Sequence, residues 1–479
     1  MSDHPDGNNA ALSRAGRYPI SASVISGLVL VADSAVTLGT GALLYSQMIN
    51  VNADTLGIYS TVICAIWISM ILLFQFSELY RFEAIVRPIA NLDKIIISFA
   101  TAFMFLLAAA FALKITESFS RLWVVGFAVG ACGLTVLYRL LFSVAVLSLS
   151  RRGFFSRNLI IVGKQTHVPR LLERLERMRS DVVTVSALFI DGASDSIASD
   201  LPILGTSKDV PAFIRTERVD DVVIAMPWSS EKRILSLVDE LRELPVNVYL
   251  GSDLIGLRLD FREPPGHFNN APIFSVVGRP LSGWSVAIKA IEDRVLAALI
   301  LLLAALPMVL IALLVKVSSP GPVFFKQKRL GFNNKVFWIY KFRSMRHAEK
   351  PETKTVQATR EDPRVTAVGR FLRRSSLDEL PQLFNVLNGT MSLVGPRPHA
   401  VDHNEEYSRK IRGYFSRHRV KPGITGWAQV NGLRGETDTP EKMEARVRYD
   451  VYYAENWSLM FDLRILAQTA LTLLGKNAY

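Results

Sequence analysis

The sequence predicts a membrane protein of class α plus α/β. A four-helix transmembrane bundle precedes a doubly wound α/β domain, and a C-terminal domain carries one more apolar helix that re-enters the bilayer. Three observations predict this. Half of the 479 residues are hydrophobic, and a mean hydropathy of +0.25 is high for a soluble chain. Five apolar stretches approach the ~20 residues that a helix needs to cross a bilayer. Between the fourth and the fifth, short apolar runs alternate with helical spacing, as in a parallel sheet flanked by helices.

The length allows two or three domains. Residues 1–19 are polar, too weakly apolar for a signal peptide, and read as a disordered cytosolic tail. Residues 20–150 hold the first four stretches, at 20–45, 56–76, 95–113 and 122–147. Arg14 and Arg17 precede the first; Arg81, Arg87 and Lys94 lie between the second and third; Arg151, Arg152 and Arg157 follow the fourth. The other two connections carry few positive charges, so the positive-inside rule puts both ends of the bundle in the cytosol. Asp33 and Arg139 are costly in lipid. A polar contact inside the bundle is the simpler explanation, and contact with a bound lipid is the other.

Residues 151–281 read as soluble. NLIIVG (158–163) has the pattern of a buried parallel strand, 168–179 has helical spacing, and 182–190, 219–226 and 246–250 are strand-like. The alternation suggests a small Rossmann-like domain. A single glycine follows its first strand in place of G-x-G-x-x-G, so the phosphate loop of a dinucleotide site is missing. The domain therefore reads as structural or regulatory.

Residues 282–479 begin with the fifth stretch, 295–315, which is uncharged but has Pro307 in its middle, where a helix loses a hydrogen bond and bends. Lys289 and Arg294 precede it, and Lys316, Lys326, Lys328 and Arg329 follow. Basic flanks on both sides argue for a helix that enters from the cytosol, breaks at Pro307 and returns to the same face. Near the end, 459–474 has apolar residues at helical spacing, as a helix on the membrane surface or in a core would.

The formal net charge is +12, which calls for an anionic partner or surface. With membrane spans and no recognisable nucleic-acid module, lipid headgroups and phosphorylated substrates fit better than nucleic acid. Cys64 and Cys132 lie inside apolar stretches and support neither a disulfide framework nor a zinc site. The seven histidines show no H-x-H or H-E-x-x-H spacing, which argues against a tightly held transition metal.

The densest constellation runs from 362 to 398. Asp378 and Glu379 are adjacent there, framed by Arg370, Arg373, Arg374 and Arg397. Pro381 suits the first turn of a helix, with Leu383, Phe384 and Leu387 as its buried face. The acidic pair would then sit at or just before a helix N-terminus, where free N–H groups favour anions. Carboxylates among arginines suit phosphate chemistry with a divalent cation. The carboxylates hold Mg2+, the guanidiniums hold phosphate oxygens, and one carboxylate can attack phosphorus. A surface salt-bridge network is the competing reading. Two further clusters support a phosphate site: Lys341-Phe342-Arg343 after the strand-like 336–340, and KPGITGW at 421–427, with Lys421, two glycines and a tryptophan able to stack on a base.

Three segments in this order and spacing resemble the bacterial monotopic phosphoglycosyl transferases: SSPGPVFFKQKRLGFNNKVFWIYKFRSM, SSLDELPQLFNVLNGTMSLVGPRP and KPGITGWAQVNG. The resemblance covers residues 289–479. The preceding spans and α/β domain resemble the large subclass, whose members include undecaprenyl-phosphate glucose and galactose phosphotransferases. The ending, Lys476-Asn477-Ala478-Tyr479, looks like the glucose-transferring branch that starts exopolysaccharide synthesis.

The resemblance implies a C-terminal α/β catalytic domain on the cytosolic face of a bacterial inner membrane. There a UDP-sugar would give its sugar 1-phosphate to undecaprenyl phosphate, and UMP would leave. It implies that Asp378 is the nucleophile, forms a phosphosugar intermediate and binds Mg2+, with Glu379 assisting. Arg373 matches a family arginine that binds phosphate. Lys341, Arg343 and Arg397 match other cationic motif positions, and Lys421 is counted with them as substrate-binding. The family's re-entrant helix, broken at a proline, matches Pro307. Some members carry serine before that proline, whereas Leu306 stands there in this chain.

Membrane-bound nucleotide-sugar dehydratases also join four spans to a nucleotide-binding domain. They need a glycine-rich loop and a Tyr-x-x-x-Lys pair, and no tyrosine here has lysine four residues on. A non-catalytic membrane scaffold is the other class of reading. The sequence chooses neither between a monomer and a homo-oligomer nor among UDP-sugars by any readable contact.

Overall fold

The computed structural model describes residues 21–49, 53–114, 119–151, 157–177, 183–192, 201–251, 273–346, 362–399, 401–433 and 439–474. The tail expected at 1–19 and the motif at 476–479 lie outside them. Two compact units divide the described chain, one within Gly16–Ser156 and one within Arg157–Tyr479.

The first unit is helical: α1 (Ala22–Met48), α2 (Ala53–Phe76), the short α3 (Phe82–Val86), α4 (Leu92–Ala112) and α5 (Arg121–Arg151). The long helices fall on the four apolar stretches and are long and apolar enough to cross a membrane. Leu72, Phe105 and Leu141 are among the large apolar side chains that remain exposed on them, a composition that suits lipid. Asp33 and Arg139 meet in the interior. Arg139 Nη2 pairs with Asp33 Oδ2 at 2.6 Å, and its Nη1 donates to the Leu79 carbonyl at 3.2 Å. The Tyr138 hydroxyl donates to the same carboxylate. The simpler explanation of these two charges is the one the structure contains.

The second unit opens with an α/β domain: β1 (Arg157–Lys164), α6 (Val168–Arg177), β2 (Val183–Asp191), β3 (Ile203–Gly205), α7 (Val210–Thr216), β4 (Asp221–Ala225), α8 (Glu231–Leu241), β5 (Asn247–Gly251) and β6 (Ile273–Val277). The strand order is β3-β2-β1-β4-β5-β6, with β6 alone antiparallel to its neighbour. Ile160 and Val162 pack into the core on one face of the sheet, and Leu159 and Ile161 into the core on the other. The two-residue period explains both the continuous apolar run and its burial on two sides. Gly163 lies within β1 and not after it. A Cβ there would stand 2.1 Å from the Ala225 carbonyl oxygen, so this glycine serves strand packing.

The C-terminal part follows in the same unit. It contains α9 (Trp284–Ser318), the antiparallel hairpin β7 (Phe324–Leu330) and β8 (Val336–Phe342), α10 (Ala367–Ser375), α11 (Gln382–Leu387), β9 (Ser392–Val394), α12 (Val401–Lys410), β10 (Gly423–Thr425), α13 (Trp427–Val430), α14 (Pro440–Glu455) and α15 (Leu459–Leu474). The α9 helix continues through Pro307 and has residues of both arms in the surrounding core. Ala297 packs with Ile339, Leu383 and Val386, whereas Met308, Ile311 and Val315 pack with Phe342 and Leu372. Lys289, one of the basic residues that flank the apolar stretch, is buried against Asp462 at 2.6 Å and Asp293 at 3.0 Å. Asp293 also accepts from the Ser392 hydroxyl and the Leu393 amide, which ties the base of α9 to β9. In α15, Ile465 is buried in the core while Met460, Leu463 and Leu471 are exposed, so one helix carries both a core face and an apolar outer face.

Candidate active site

The acidic pair is placed by a break between two helices. Thr366 caps α10 by accepting the Gly369 amide at 2.9 Å. Gly369 is required by packing, because a Cβ there would stand 1.9 Å from the Ser344 carbonyl oxygen. One turn later, Arg373 lies over the same segment and its Nε donates to the Ser344 hydroxyl at 2.9 Å. The helix stops at Ser376, which adopts a left-handed φ of 59°, a conformation that costs a non-glycine residue about 1–2 kcal/mol. A 3-10 turn, Leu377–Glu379, then carries both carboxylates, and Pro381 leads into α11. The expected position just before a helix N-terminus is the one observed. The buried face of α11 is rotated from expectation: Leu383, Asn385 and Val386 are buried, whereas Phe384 is exposed. Leu387 is only partly buried against the core. Asn385 earns its place by donating to the Trp338 carbonyl at 2.7 Å and accepting the Tyr340 amide, which joins α11 to β8.

The two carboxylates have different surroundings. Glu379 Oε1 accepts from Lys341 Nζ at 2.7 Å and from Arg397 Nη2 at 2.8 Å, and its Oε2 accepts from Arg397 Nη1 at 3.2 Å. Burial alone would raise its pKa, but Arg397 and Lys341 overrule it and hold the carboxyl well below its usual range. Asp378, also buried, has no hydrogen bond or ion pair among the described residues. Burial pushes it up to about 6, with the neighbouring Glu379 charge adding to the rise and Lys341, Arg373 and Arg397 opposing it. One carboxylate is therefore committed to cations and the other is left with free oxygens.

Arg397 is held from behind by a buried polar network. Arg417 donates to the Arg397 carbonyl at 2.6 Å and to His399 Nδ1 at 2.7 Å, and pairs with Asp450 at 2.7 Å. Burial and the nearby arginines keep His399 neutral, well below its usual range. Nothing in the sequence singles out this network, because its members come from three separate segments.

The other expected residues divide. Arg373 acts on Asp378, while Arg370 and Arg374 are exposed on the outer face of α10 and do not frame the pair. Arg343 turns away from the dyad. Its Nη2 donates to the Val315 carbonyl at 3.2 Å and the Ser319 carbonyl at 2.6 Å, closing the C-terminus of α9. Lys421 lies beyond the other end of α11, where its Nζ and Arg294 Nη2 come within 3.6 and 3.7 Å of a Cβ built on Gly389. Burial lowers its pKa, and it does not join the dyad. Trp427, considered for base stacking, packs on Phe461 with ring centroids 5.0 Å apart and lies under Arg464. Gln327 and Arg329 on β7 share the strand face of Lys341, a placement legible only from the hairpin register.

Among the described residues, no cluster of three or more acidic, histidine or cysteine side chains suits a metal ion. Mg2+ is commonly held by one or two carboxylates together with substrate phosphates, and the free oxygens of Asp378 fit that mode.

Comparison with known proteins finds relatives over most of the chain. The family described as bacterial sugar transferase matches residues 284–476, and one described as CoA-binding domain matches 75–251. The chain is 41% identical over 360 residues to the UDP-glucose:undecaprenyl-phosphate glucose-1-phosphate transferase of Escherichia coli K12, covering 75% of this chain and 76% of that protein. A protein of the same description from Xanthomonas campestris pv. campestris is 39% identical, with 80% of each chain covered. The undecaprenyl-phosphate galactose phosphotransferase of Salmonella typhimurium is 30% identical over 69% of this chain and 70% of its own.

Proposed function

The chain belongs to the bacterial sugar transferase family, and from that premise we propose that it transfers glucose 1-phosphate from UDP-glucose to undecaprenyl phosphate. UMP is released, and the product starts exopolysaccharide or capsule synthesis. The observation that carries this reading is the unequal dyad: Glu379 is neutralised by Lys341 and Arg397, whereas Asp378 keeps free oxygens beside them. Glucose is favoured over galactose because the relatives named for glucose transfer are the more similar ones.

In the proposed reaction, a carboxylate oxygen of Asp378 attacks the sugar-bearing phosphorus of UDP-glucose. The phosphoanhydride bond breaks and its electron pair leaves with UMP. An oxygen of undecaprenyl phosphate then attacks the aspartyl phosphosugar at phosphorus, the acyl phosphate bond breaks, and the Asp378 carboxylate is restored. Splitting the transfer lets a water-soluble donor and a lipid acceptor use one site in turn. Glu379 keeps Lys341 and Arg397 fixed at that site, and Arg373 offers a guanidinium beside Asp378 for phosphate oxygens. Asp378 would hold Mg2+, which when bound supplies charge stabilisation to the phosphates.

The site would lie at the cytosolic surface of the inner membrane, with the N-terminal helices crossing as a four-helix bundle and α9 re-entering the bilayer around Pro307. Support comes from basic residues near both ends of the apolar stretch, and from the packing of both arms of α9 on the C-terminal part, in two clusters that β8 joins. The central α/β domain fits a structural or regulatory role. Labelling of single cysteines near Arg294 and Lys316 tests the topology, and modification from opposite sides of the membrane would refute it. UMP release measured with a panel of UDP-sugars and undecaprenyl phosphate tests the reaction. Equal or faster turnover of UDP-galactose would overturn the choice of sugar, and no release with any donor would overturn the reading.

A further inference from the structure

Arg329 is a cation without a counter-anion. The hairpin register sets Arg329 opposite Phe337 and Gln327 opposite Ile339, so these side chains share one face. Ile339 is buried in the core beneath α11, which makes this the inner face. Arg329 Nη2 donates to Gln327 Oε1 at 2.6 Å and Nη1 to the Pro398 carbonyl at 3.3 Å, and both acceptors are neutral. Its Nε is buried with no hydrogen-bond partner. Among the described residues no carboxylate lies within 4.0 Å of it. Glu379, the acid acting on it from farther away, is already taken by Lys341 and Arg397. Burial and the like charge of Arg397 bring its pKa down to about 10, so it stays charged at neutral pH.

A buried guanidinium beside a second one is unfavourable unless a ligand supplies negative charge. Around the dyad, Lys341 and Arg397 hold Glu379, and Arg329 adds a further positive charge beside Arg397. Lys341, Arg373 and Arg397 all act on Asp378, whereas Arg329 acts on the Arg397 and Glu379 side.

We propose that Arg329 binds the phosphate of the departing nucleotide, the phosphoryl group of the donor that Asp378 does not attack. The assignment rests on the reaction proposed above. With the attacked phosphorus on Asp378, a diphosphate extends its second phosphoryl group toward Arg397 and Arg329. As the phosphoanhydride breaks, the bridging oxygen leaves with the nucleotide and carries the electron pair. A preorganised guanidinium there stabilises the charge that develops. Gln327 and Pro398 hold two of its nitrogens in place, leaving the remaining N–H groups of Nη1 and Nη2 for the ligand.

The test uses full-length protein in lipid nanodiscs and compares the wild type with Arg329→Gln and Arg329→Lys. The readouts are the UMP inhibition constant, UMP-dependent exchange into UDP-glucose without lipid acceptor, and KM for undecaprenyl phosphate. Arg329→Gln should raise the UMP inhibition constant at least ~10-fold and slow exchange ~10²-fold, leaving the lipid KM within about two-fold. Arg329→Lys keeps the charge without the fork and should recover part of both losses. Should the glutamine variant fail to fold, the lysine variant still decides: an unchanged UMP constant overturns the assignment. A raised lipid KM with unchanged UMP affinity overturns it in favour of the acceptor. Wild-type protein that releases no UMP from any UDP-sugar defeats the reaction itself, whereas variants with wild-type UMP affinity in an active enzyme defeat only the role of Arg329.

Discussion

Arg139 in the helical unit and Arg397 beside the dyad both pair with a buried carboxylate, yet their surroundings differ in what is left over. Arg139 meets one acid, Asp33, shares it with the Tyr138 hydroxyl, and directs another nitrogen to the Leu79 carbonyl. Charge matches charge, and Phe74 covers the guanidinium. Around Arg397 the balance is open. Two cations share Glu379, and among the described residues Arg329 touches no carboxylate and Asp378 makes no ion pair. A buried ion pair that closes on itself holds helices in register. A cluster with a surplus cation and an unpaired carboxylate leaves charge for a ligand to match.

The largest effect should come from removing the free carboxylate. Asp378→Asn should lower UMP release at least ~10⁴-fold without lowering the unfolding temperature, since it removes a buried charge that has no partner. Retained activity would end the assignment of the nucleophile. Opening the closed pair does the reverse. Arg139→Met strands Asp33 and should destabilise the protein by about 3–5 kcal/mol, with turnover per folded molecule unchanged. Asp33→Leu combined with Arg139→Met should recover much of that stability in the same thermal-unfolding assay.

Glu379→Gln lies between these extremes, because it strands two cations and loosens the site. Its kcat should fall ~10²-fold, and unlike Asp378→Asn it should also lower the unfolding temperature. Arg343→Lys should cost about 1.5–3 kcal/mol of stability through its contacts with the end of α9, with KM for UDP-glucose within about two-fold. A larger rise in KM would return Arg343 to the substrate site. A further effect, confined to low pH, concerns His418, whose pKa burial and Arg417 lower from 6.5 to about 3. The unfolded chain takes up a proton near 6.5 while the folded one stays neutral to about 3, so stability falls as pH drops through that window. His418→Asn should flatten that part of the pH–stability curve, and an unaltered curve would assign it to other groups.

Much of the architecture was legible because it rests on periods and lengths. The long apolar helices and the strands β1, β2, β4 and β5 fall within a few residues of their expected places. The exposed Phe384 and the buried Asn385 were not legible, since helix phase depends on which neighbour claims each face. The roles of Arg343, Lys421 and Trp427 were not legible either. A motif shows that a cation or an aromatic is present, while packing decides which way it points.

By itself the sequence determined an acidic pair among arginines, just before the helix that Pro381 introduces, in a chain with several apolar helices. Local spacing and hydropathy suffice for that. Only the tertiary structure distinguished the two acids, because the groups that claim Glu379 come from positions 38 residues before it and 18 after it. Adjacent carboxylates look alike along the chain. They part in character when the fold brings Lys341 and Arg397 onto one of them, leaving the other desolvated, without an ion pair and, in the proposed reaction, the one that attacks phosphorus.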